Sequence, residues 1–465
     1  MPPNAHPAPH ALIDDLRATL RGAVIDRSDA RYDDARRVWN GLIDRYPAVI
    51  ARCADRDDVV ATMRLARRHR PPISIRGGGH QVAGSAVCDD GLVIDLSEMR
   101  AVEVDPERRT ADVEGGATWA DVDAATQRHG LAAPGGEVSS TGVGGFTLGG
   151  GMALTMRRFG LACDRLRSVE VVTANGEVRV ADRERHSDLF WAARGGGRGI
   201  GVVTAFRFDL EPLGPEVATA TVVYPIASAA TILRRWRDVA PAMPESVTPQ
   251  LVLWGVPPDP AIPASQHGAA CVIATGMYAG PAEDGAAVLE PLRTLATPLH
   301  DLSGTLTYLD LQSSLDDLFP AGGRYFMKSL GVDDLDDGVI ATLTAWFARR
   351  PTPETLVAIR TLGGAVRRVG PDESAFPHRA DRFNVSIDAG WSDPALDAEA
   401  IGWARGLWDA LRPASNGSVY VNFAGLDDDS ATLGDDVYRS SAERLAAIRA
   451  AHDPEGLLSE AARRP

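Results

Sequence analysis

Residues 73–84, ISIRGGGHQVAG, place a histidine directly after three glycines, and the glycines follow a strand-like alternation of Ile73 and Ile75. A plain turn does not require three glycines, each of which gives up more backbone freedom on folding than any other residue. The run marks a point where bare backbone must approach something closely, with the His80 imidazole beside it and the Arg76 guanidinium just before it. Two more clusters follow, PGGEVSSTGVGGFTLGGG at 134–151 and RGGGRGIGVV at 194–203. Successive backbone N–H groups free of side chains form a concavity that binds anions such as phosphate. Ser139, Ser140 and Thr141 add hydroxyl donors to the second cluster, and Arg76 adds a fixed positive charge to the first.

Two common nucleotide sites do not fit. A P-loop requires glycine directly before Lys-Ser/Thr, and the only lysine, Lys328, follows Met327. A dinucleotide fingerprint of the Rossmann kind runs from a strand through GxGxxG into a helix. Here the third cluster runs into VVTAFRFDL, which is strand-like, and the first carries His80.

The elements that must position these clusters read as short strands interleaved with helices from about Arg21 to Leu210. DDVVATMRLARRH and TWADVDAATQRHG have helical spacing, and GLVIDL, AVEVD and TADVEGG read as strands. VEVVTANGEVRVA reads as a hairpin turning at Asn175-Gly176. EPLGPEV, residues 211–217, is a Pro/Gly break and the expected domain boundary. Beyond it come strands (ATATVVYP, PQLVLWGV, ACVIATGMY) and amphipathic helices (ASAATILRRWRDV, DGVIATLTAWFARR). The loop PASNGSVYVNF and a last helix, SSAERLAAIRAAHDPEG, close the chain.

Bulk properties narrow the function. The 465 residues exceed the usual domain length of about 100–200. A net charge of −15 argues against nucleic acid, whose phosphates need clustered Lys and Arg. Cys53, Cys88, Cys163 and Cys271 form no CxxC pair, so no zinc or other metal site is expected, and a reducing cytoplasm fits them. The start, MPPNAHPAPHALIDDLRATL, lacks the basic and apolar regions of a signal peptide. AACVIATGMYAG is too short to cross a membrane, which takes about 20 apolar residues.

RGGGHQVAG, VIDLSEM, GVGGFTLGGG, FGLACD and DLFWAARGGG, followed by LGGAVRRVGPDESAFPHR and YVNF, resemble, in this order, the FAD-linked oxidases of the berberine bridge enzyme-like group within the vanillyl-alcohol oxidase superfamily. The resemblance spans nearly the whole chain, from YDDARRVW to AHDPEG. GRYFMKS is similar to the actinobacterial branch, whose members often tailor natural products. The resemblance implies an α+β, two-domain FAD-binding fold of the vanillyl-alcohol oxidase type. Its substrate domain is an antiparallel sheet with helices that roofs the isoalloxazine ring. The divisions expected here are a mobile start at 1–20, an FAD domain at 21–212, a substrate domain at 213–413 and a return to the FAD domain at 414–465.

In that family the histidine at the position of His80 is bonded to the 8-methyl carbon of the flavin. The resemblance implies cofactor contacts from Arg76, Gly77, Gly78, Gly79, Gln81 and Gly84 in the first cluster. The second supplies Gly135, Gly136, Val138, Ser139, Ser140, Thr141, Gly142, Gly144 and Gly145, and the third Gly199, Gly201 and Val203. Tyr420 and Asn422 lie near the ring, with Tyr420 in the place of a tyrosine that takes a substrate hydroxyl proton in sugar-oxidising relatives. Tyr325, Tyr308 and Arg360 are the expected substrate contacts, and His378 and Cys163 are expected to be structural.

The chain departs from the family at four places. Val138-Ser139-Ser140-Thr141 stands where some relatives carry a cysteine that makes a second flavin bond, so one tether is expected. Gly199-Ile200 stands where Asn-Phe is usual, and the ending GLLSEAARRP lacks the usual Phe and Asn-Gln that dock the tail on the flavin domain. Arg360 occupies the place of a plant glutamate base, and a guanidinium cannot accept a proton. The expected activity is oxidation of a small molecule of the natural-product kind, with O₂ reoxidising covalent FAD to give peroxide. The alternative is an oxygenase or oxidative cyclase acting on a polyketide-like substrate. The oligomeric state is not readable.

Overall fold

The computed structural model describes residues 9–197, 199–424, 426 and 437–458. Near the N-terminus the strands Val49–Arg52, Leu92–Asp95 and Ile73–Arg76 lie parallel, with Ala23–Asp26 antiparallel at one edge. Parallel neighbours need a crossover, and the helix Arg56–His69 supplies one between Val49–Arg52 and Ile73–Arg76. It starts where the sequence says it should: the Asp55 carboxylate accepts the N–H groups of Asp57 and Asp58, satisfying donors that have no partner inside the helix. Strand Ile73–Arg76 is the other edge of the sheet, so the first glycine cluster emerges from its C-terminal end.

A second, antiparallel sheet orders its strands Val102–Asp105, Thr110–Glu114, Val202–Asp209, Leu166–Val172 and Val178–Asp182. Its last two strands form the expected hairpin, and Gly176 takes the left-handed conformation in the turn, with φ +76°. The expected mobile start is corrected from residue 9 onward. A helix runs from Pro9 to Thr19 and buries Leu12, Ile13 and Leu16 against Val59, Met63 and Ala66. Proline at a first helical position loses no hydrogen bond, and these apolar residues find a core to join.

The third sheet fills the middle of the chain. Its strands run, in spatial order, His300–Asp301, Glu216–Pro225, Ala270–Tyr278, Val247–Gly255, Leu356–Thr361, Phe383–Trp391 and Arg324–Val332, with Gly304–Thr307 also pairing with Glu216–Pro225. Every pairing is antiparallel, and the two faces differ. One face carries Leu251, Leu253, Ile359, Val385, Ile387, Phe326 and Leu330, packed under Trp236, Leu343, Phe347, Trp403 and Leu407 from the covering helices. The other face is apolar at one end, where Val223, Val252, Cys271 and Ile273 pack with Val256 and Ile262, and polar in its middle around Gln250, Arg360 and Asn384, with Glu137 of the second glycine cluster against it.

The C-terminal segment returns to the first two sheets. Leu445 and Ile448 of the helix Ala442–His452 pack with Leu189 and Phe190, and Leu457 and Leu458 join the core around Leu12 and Leu16. The chain thus docks its tail through leucines; residues 459–465 of the atypical ending lie outside the described residues. No helix among the described residues is long and apolar enough to cross a membrane.

Candidate active site

The three glycine clusters meet. A Cβ on Gly78 would lie 2.4 Å from the Gly142 nitrogen, and one on Gly142 would lie 2.3 Å from the Gly78 nitrogen. The first and second clusters therefore cross backbone to backbone, at a distance that no side chain permits. The second meets the third where the Gly197 N–H donates to the Leu148 carbonyl at 3.2 Å. Gly115, from the TADVEGG strand, joins all three, although sequence reasoning passed over it. Its carbonyl lies against Gly77 and Gly144, and the space for its own side chain is taken by the Val203 carbonyl.

Arg76 lies beneath this junction, 7% exposed. One guanidinium nitrogen donates to the Ala35 carbonyl and stands 3.8 Å from Asp95, while Nε and the second terminal nitrogen are buried with no partner. Burial pulls its pKa down, with Asp95 opposing. Buried donors without acceptors are costly. Beside bare backbone they fit a bound anionic group, so the residues present suit the diphosphate of a dinucleotide.

His80 sits at the crossing. Its Nε2 is 2.8 Å from Ser140 Oγ, and its ring stacks on Trp39 at 4.9 Å and 18°. Trp39 in turn stacks on Tyr325 at 4.1 Å and 6°. Burial pushes the His80 pKa down to about 4, so the imidazole is neutral at pH 7 with one nitrogen lone pair. The loop carrying Ser140 is held from the other side, because Ser139 donates through its N–H and Oγ to the two oxygens of Asp316, at 2.8 and 2.6 Å.

Other expected cofactor contacts have varied surroundings. Gln81 reaches the Ala424 carbonyl at 3.5 Å, and Gly84 packs against Ile43. Gly135 and Gly136 lie against Trp119, so their lack of side chain serves packing of that loop. The Val138 carbonyl accepts the Thr141 N–H, and Gly142 precedes a short helix, Val143–Leu148. Gly145 faces open space. Gly199 lies against Arg449, and Gly201, at φ +140°, against strand residues Val171 and Val172.

Opposite His80 lies the polar sheet face. Thr275, Gln250, Arg360 and Asn384 stand side by side across four strands, because their registers pair in that sequence. Arg360 donates to Ser386 Oγ at 2.9 Å, stands 3.7 Å from Glu137 of the second glycine cluster, and lies over the Phe423 ring. Gln250 donates to Glu137 at 2.6 Å. Tyr420 is docked on the same sheet, its N–H donating to Ser329 Oγ at 2.9 Å. The Tyr420 hydroxyl accepts from the Met152 N–H at 3.0 Å and from Asn422 Nδ2 at 2.9 Å. Burial drives the Tyr420 pKa up to about 12 against those donors and Arg360, so the phenol keeps its proton at neutral pH. These surroundings favour the neutral phenol, against the role of proton acceptor expected of Tyr420.

Tyr325 reaches this region as a stacking ring, its hydroxyl donating to the Pro320 carbonyl at 2.9 Å. Tyr308 does not. It is 1% exposed in an apolar cluster with Ala132, Phe159, Leu213 and Met277, which removes it from substrate contact. His378 is buried with Nε2 at 2.7 Å from the Val437 carbonyl, and Cys163 is buried among Met156, Leu161 and Phe376. The motifs FGLACD and AFPHR are joined by a buried two-pronged pair, Arg379 to both oxygens of Asp164 at 2.7 and 3.0 Å. Trp39, Glu137, Asp316 and Asp388 were missed. Of these, Asp388 alone carried a clear signal: in FNVSIDA, residues 383–389, apolar and polar residues alternate without a break.

Residues 47–182, which include the first two glycine clusters, match the FAD binding domain family. The chain is 30% identical over 447 residues to the FAD-linked oxidoreductase YvdP of Bacillus subtilis, covering 94% of this chain and 97% of that protein. The chain belongs to the FAD-linked oxidoreductases. This oxidoreductase shares its fold with berberine bridge enzyme-like 1 of Physcomitrella patens (TM-score 0.86, 21% identity, 96% and 97% of the two chains). It is also similar to 6-hydroxy-D-nicotine oxidase of Arthrobacter nicotinovorans (TM-score 0.84, 25% identity, 94% and 96%). The oxidoreductase thus has the α+β fold of these neighbours.

Proposed function

We propose that this oxidoreductase is an oxidase of a small molecule of the natural-product kind, holding FAD by a single bond to His80 and passing the electrons to O₂ to give hydrogen peroxide. The observation that carries it is a neutral imidazole at the backbone crossing of the glycine clusters, anchored by Ser140 and Trp39. The stretch Val138-Ser139-Ser140-Thr141 offers no sulfur for a second bond. Arg76 and the backbone around Gly77–Gly79 and Gly142 hold the diphosphate in this reading. The segments 21–212 and 414–465 form the cofactor domain, and 213–413 supply the substrate side.

Bound FAD supplies the two-electron acceptor. The polar sheet face, with Gln250, Arg360 and Asn384, orients the substrate by hydrogen bonds in a water-poor space. Tyr420, its lone pairs taken by Met152 and Asn422, has one hydroxyl hydrogen to donate to the substrate.

The test is an oxygen-consumption assay with D-glucose, 4-methoxybenzyl alcohol and 6-hydroxy-D-nicotine as donors. One equivalent of peroxide per donor oxidised supports the oxidase. Label from ¹⁸O₂ appearing in the product, without matching peroxide, replaces it with the oxygenase reading.

A further inference from the structure

With arginine at the plant base position and Tyr420 holding its proton, the site needs another group to take a proton from the substrate. Glu137 is engaged, since its Oε1 accepts from Gln250 and faces Arg360. The strand Phe383–Trp391 offers a carboxylate with one buried oxygen left without a partner. Asn384, Ser386 and Asp388 alternate onto the polar face, opposite Gly331, Ser329 and Met327 respectively. Ser329 holds Tyr420, and Met327 packs with Val82, Tyr325 and Trp39, the ring that stacks on His80. Asp388 is therefore the register partner of a residue that packs against Trp39, the ring beside the proposed tether.

Asp388 is 7% exposed. Its Oδ2 accepts the Ser386 hydroxyl at 3.0 Å, and Ser386 accepts from Arg360 at 2.9 Å. Its Oδ1 is buried with no partner. A carboxylate oxygen fixed by a serine relay on one side and unengaged on the other has the geometry of a proton acceptor waiting for an O–H or N–H.

We propose that Asp388 is the general base of this enzyme, with Arg360 and Ser386 as its positioning residues. The inference rests on the oxidase reading. In the step, the donor O–H (or N–H) bond breaks and its proton goes to Asp388 Oδ1. The carbon-bound hydrogen leaves with its electron pair to the bound FAD, and a C=O (or C=N) bond forms. The donor is oxidised by two electrons, the cofactor reduced by two, and O₂ takes the pair as peroxide while Asp388 returns its proton to water. The charged groups facing Asp388 are Arg360, which favours its anion, and Glu137, which opposes it; burial outweighs both and places its pKa at about 6. That value suits a base at neutral pH.

The experiment compares holoenzymes of wild type, Asp388→Asn and Asp388→Glu by anaerobic flavin bleaching with the same three donors. Asp388→Asn is expected to slow bleaching about 10²–10⁴-fold at pH 7 and to erase the rise in rate through pH 6. Asp388→Glu is expected to restore part of the rate, and dithionite to bleach all three equally. A wild-type rate and pH profile in Asp388→Asn overturns the assignment, as does a loss in which Asp388→Glu and Asp388→Asn are equally slow with an unchanged pH profile. If dithionite bleaches the wild type and no donor does, the oxidase reading is what fails. The carboxyl is then judged by NMR of the [¹³C]aspartate-labelled holoenzyme, where a resonance titrating near pH 6 and missing from Asp388→Asn supports a poised acceptor, and its absence overturns one.

Discussion

The floor and the roof of the site are built on opposite principles. At the floor, Gly78 and Gly142 touch through backbone alone, and any side chain there would collide with main-chain atoms that cannot move aside. At the roof, the backbone is an ordinary antiparallel sheet, and everything specific comes from which side chains its register brings together: Gln250, Arg360, Asn384, Ser386 and Asp388. In the proposed reading the floor is fitted to one part that never changes, the dinucleotide. In the same reading the roof is a surface on which substrate preference would change by exchanging side chains without moving a strand.

The comparison can be broken at its floor first. Gly142→Val places atoms inside the Gly78 backbone, and overpacking of this kind costs about 1–3 kcal/mol or more. Purified Gly142→Val is expected to be colourless with a lower urea midpoint, whereas Gln250→Ala at the roof keeps full yellow colour. Next, Arg76→Leu removes a buried charge whose donors fit the diphosphate. Charged hydrogen bonds are worth about 1.5–3 kcal/mol, so titration of protein expressed without riboflavin is expected to show FAD bound roughly ten- to a hundred-fold more weakly.

The roof is sharpened by pH. The Asp388 carboxyl, ordinarily at 3.8, stands at about 6 in the fold. Because the folded value is the higher one, the stability it lends is complete below about pH 4 and is withdrawn as pH rises through about 6, by up to about 3 kcal/mol. The melting temperature of Asp388→Asn is therefore expected to fall less between pH 4.5 and 7.5 than that of wild type. The smallest effect is expected of Ser140→Ala, which removes the partner of His80 Nε2. Flavin still binds, but the covalently attached fraction, read as fluorescence in a denaturing gel, drops below that of wild type, and Ser140→Thr restores it.

The floor was legible in the sequence because glycine has few reasons to cluster, and three clusters beside Arg76 and His80 leave fewer still. Gly115 was missed because a glycine pair ending a strand looks like a turn. The roof was largely hidden. Gln250, Arg360 and Asp388 lie on three strands far apart in the chain, and their meeting depends on a register that no single strand declares. Tyr308 shows the same limit from the other side: an aromatic near the end of a strand gives no sign of whether it faces a site or a core. The helix at Pro9–Thr19 was obscured by prolines before it, although Leu12, Ile13 and Leu16 have helical spacing.

The account stands on the attachment at His80, and the most direct measurement is to precipitate the purified protein with acid, digest the pellet and map its flavin by mass spectrometry. A yellow pellet whose flavin sits on the peptide containing His80 is the predicted result. Colour released wholly into the supernatant, or flavin found on another residue with His80 unmodified, would contradict it.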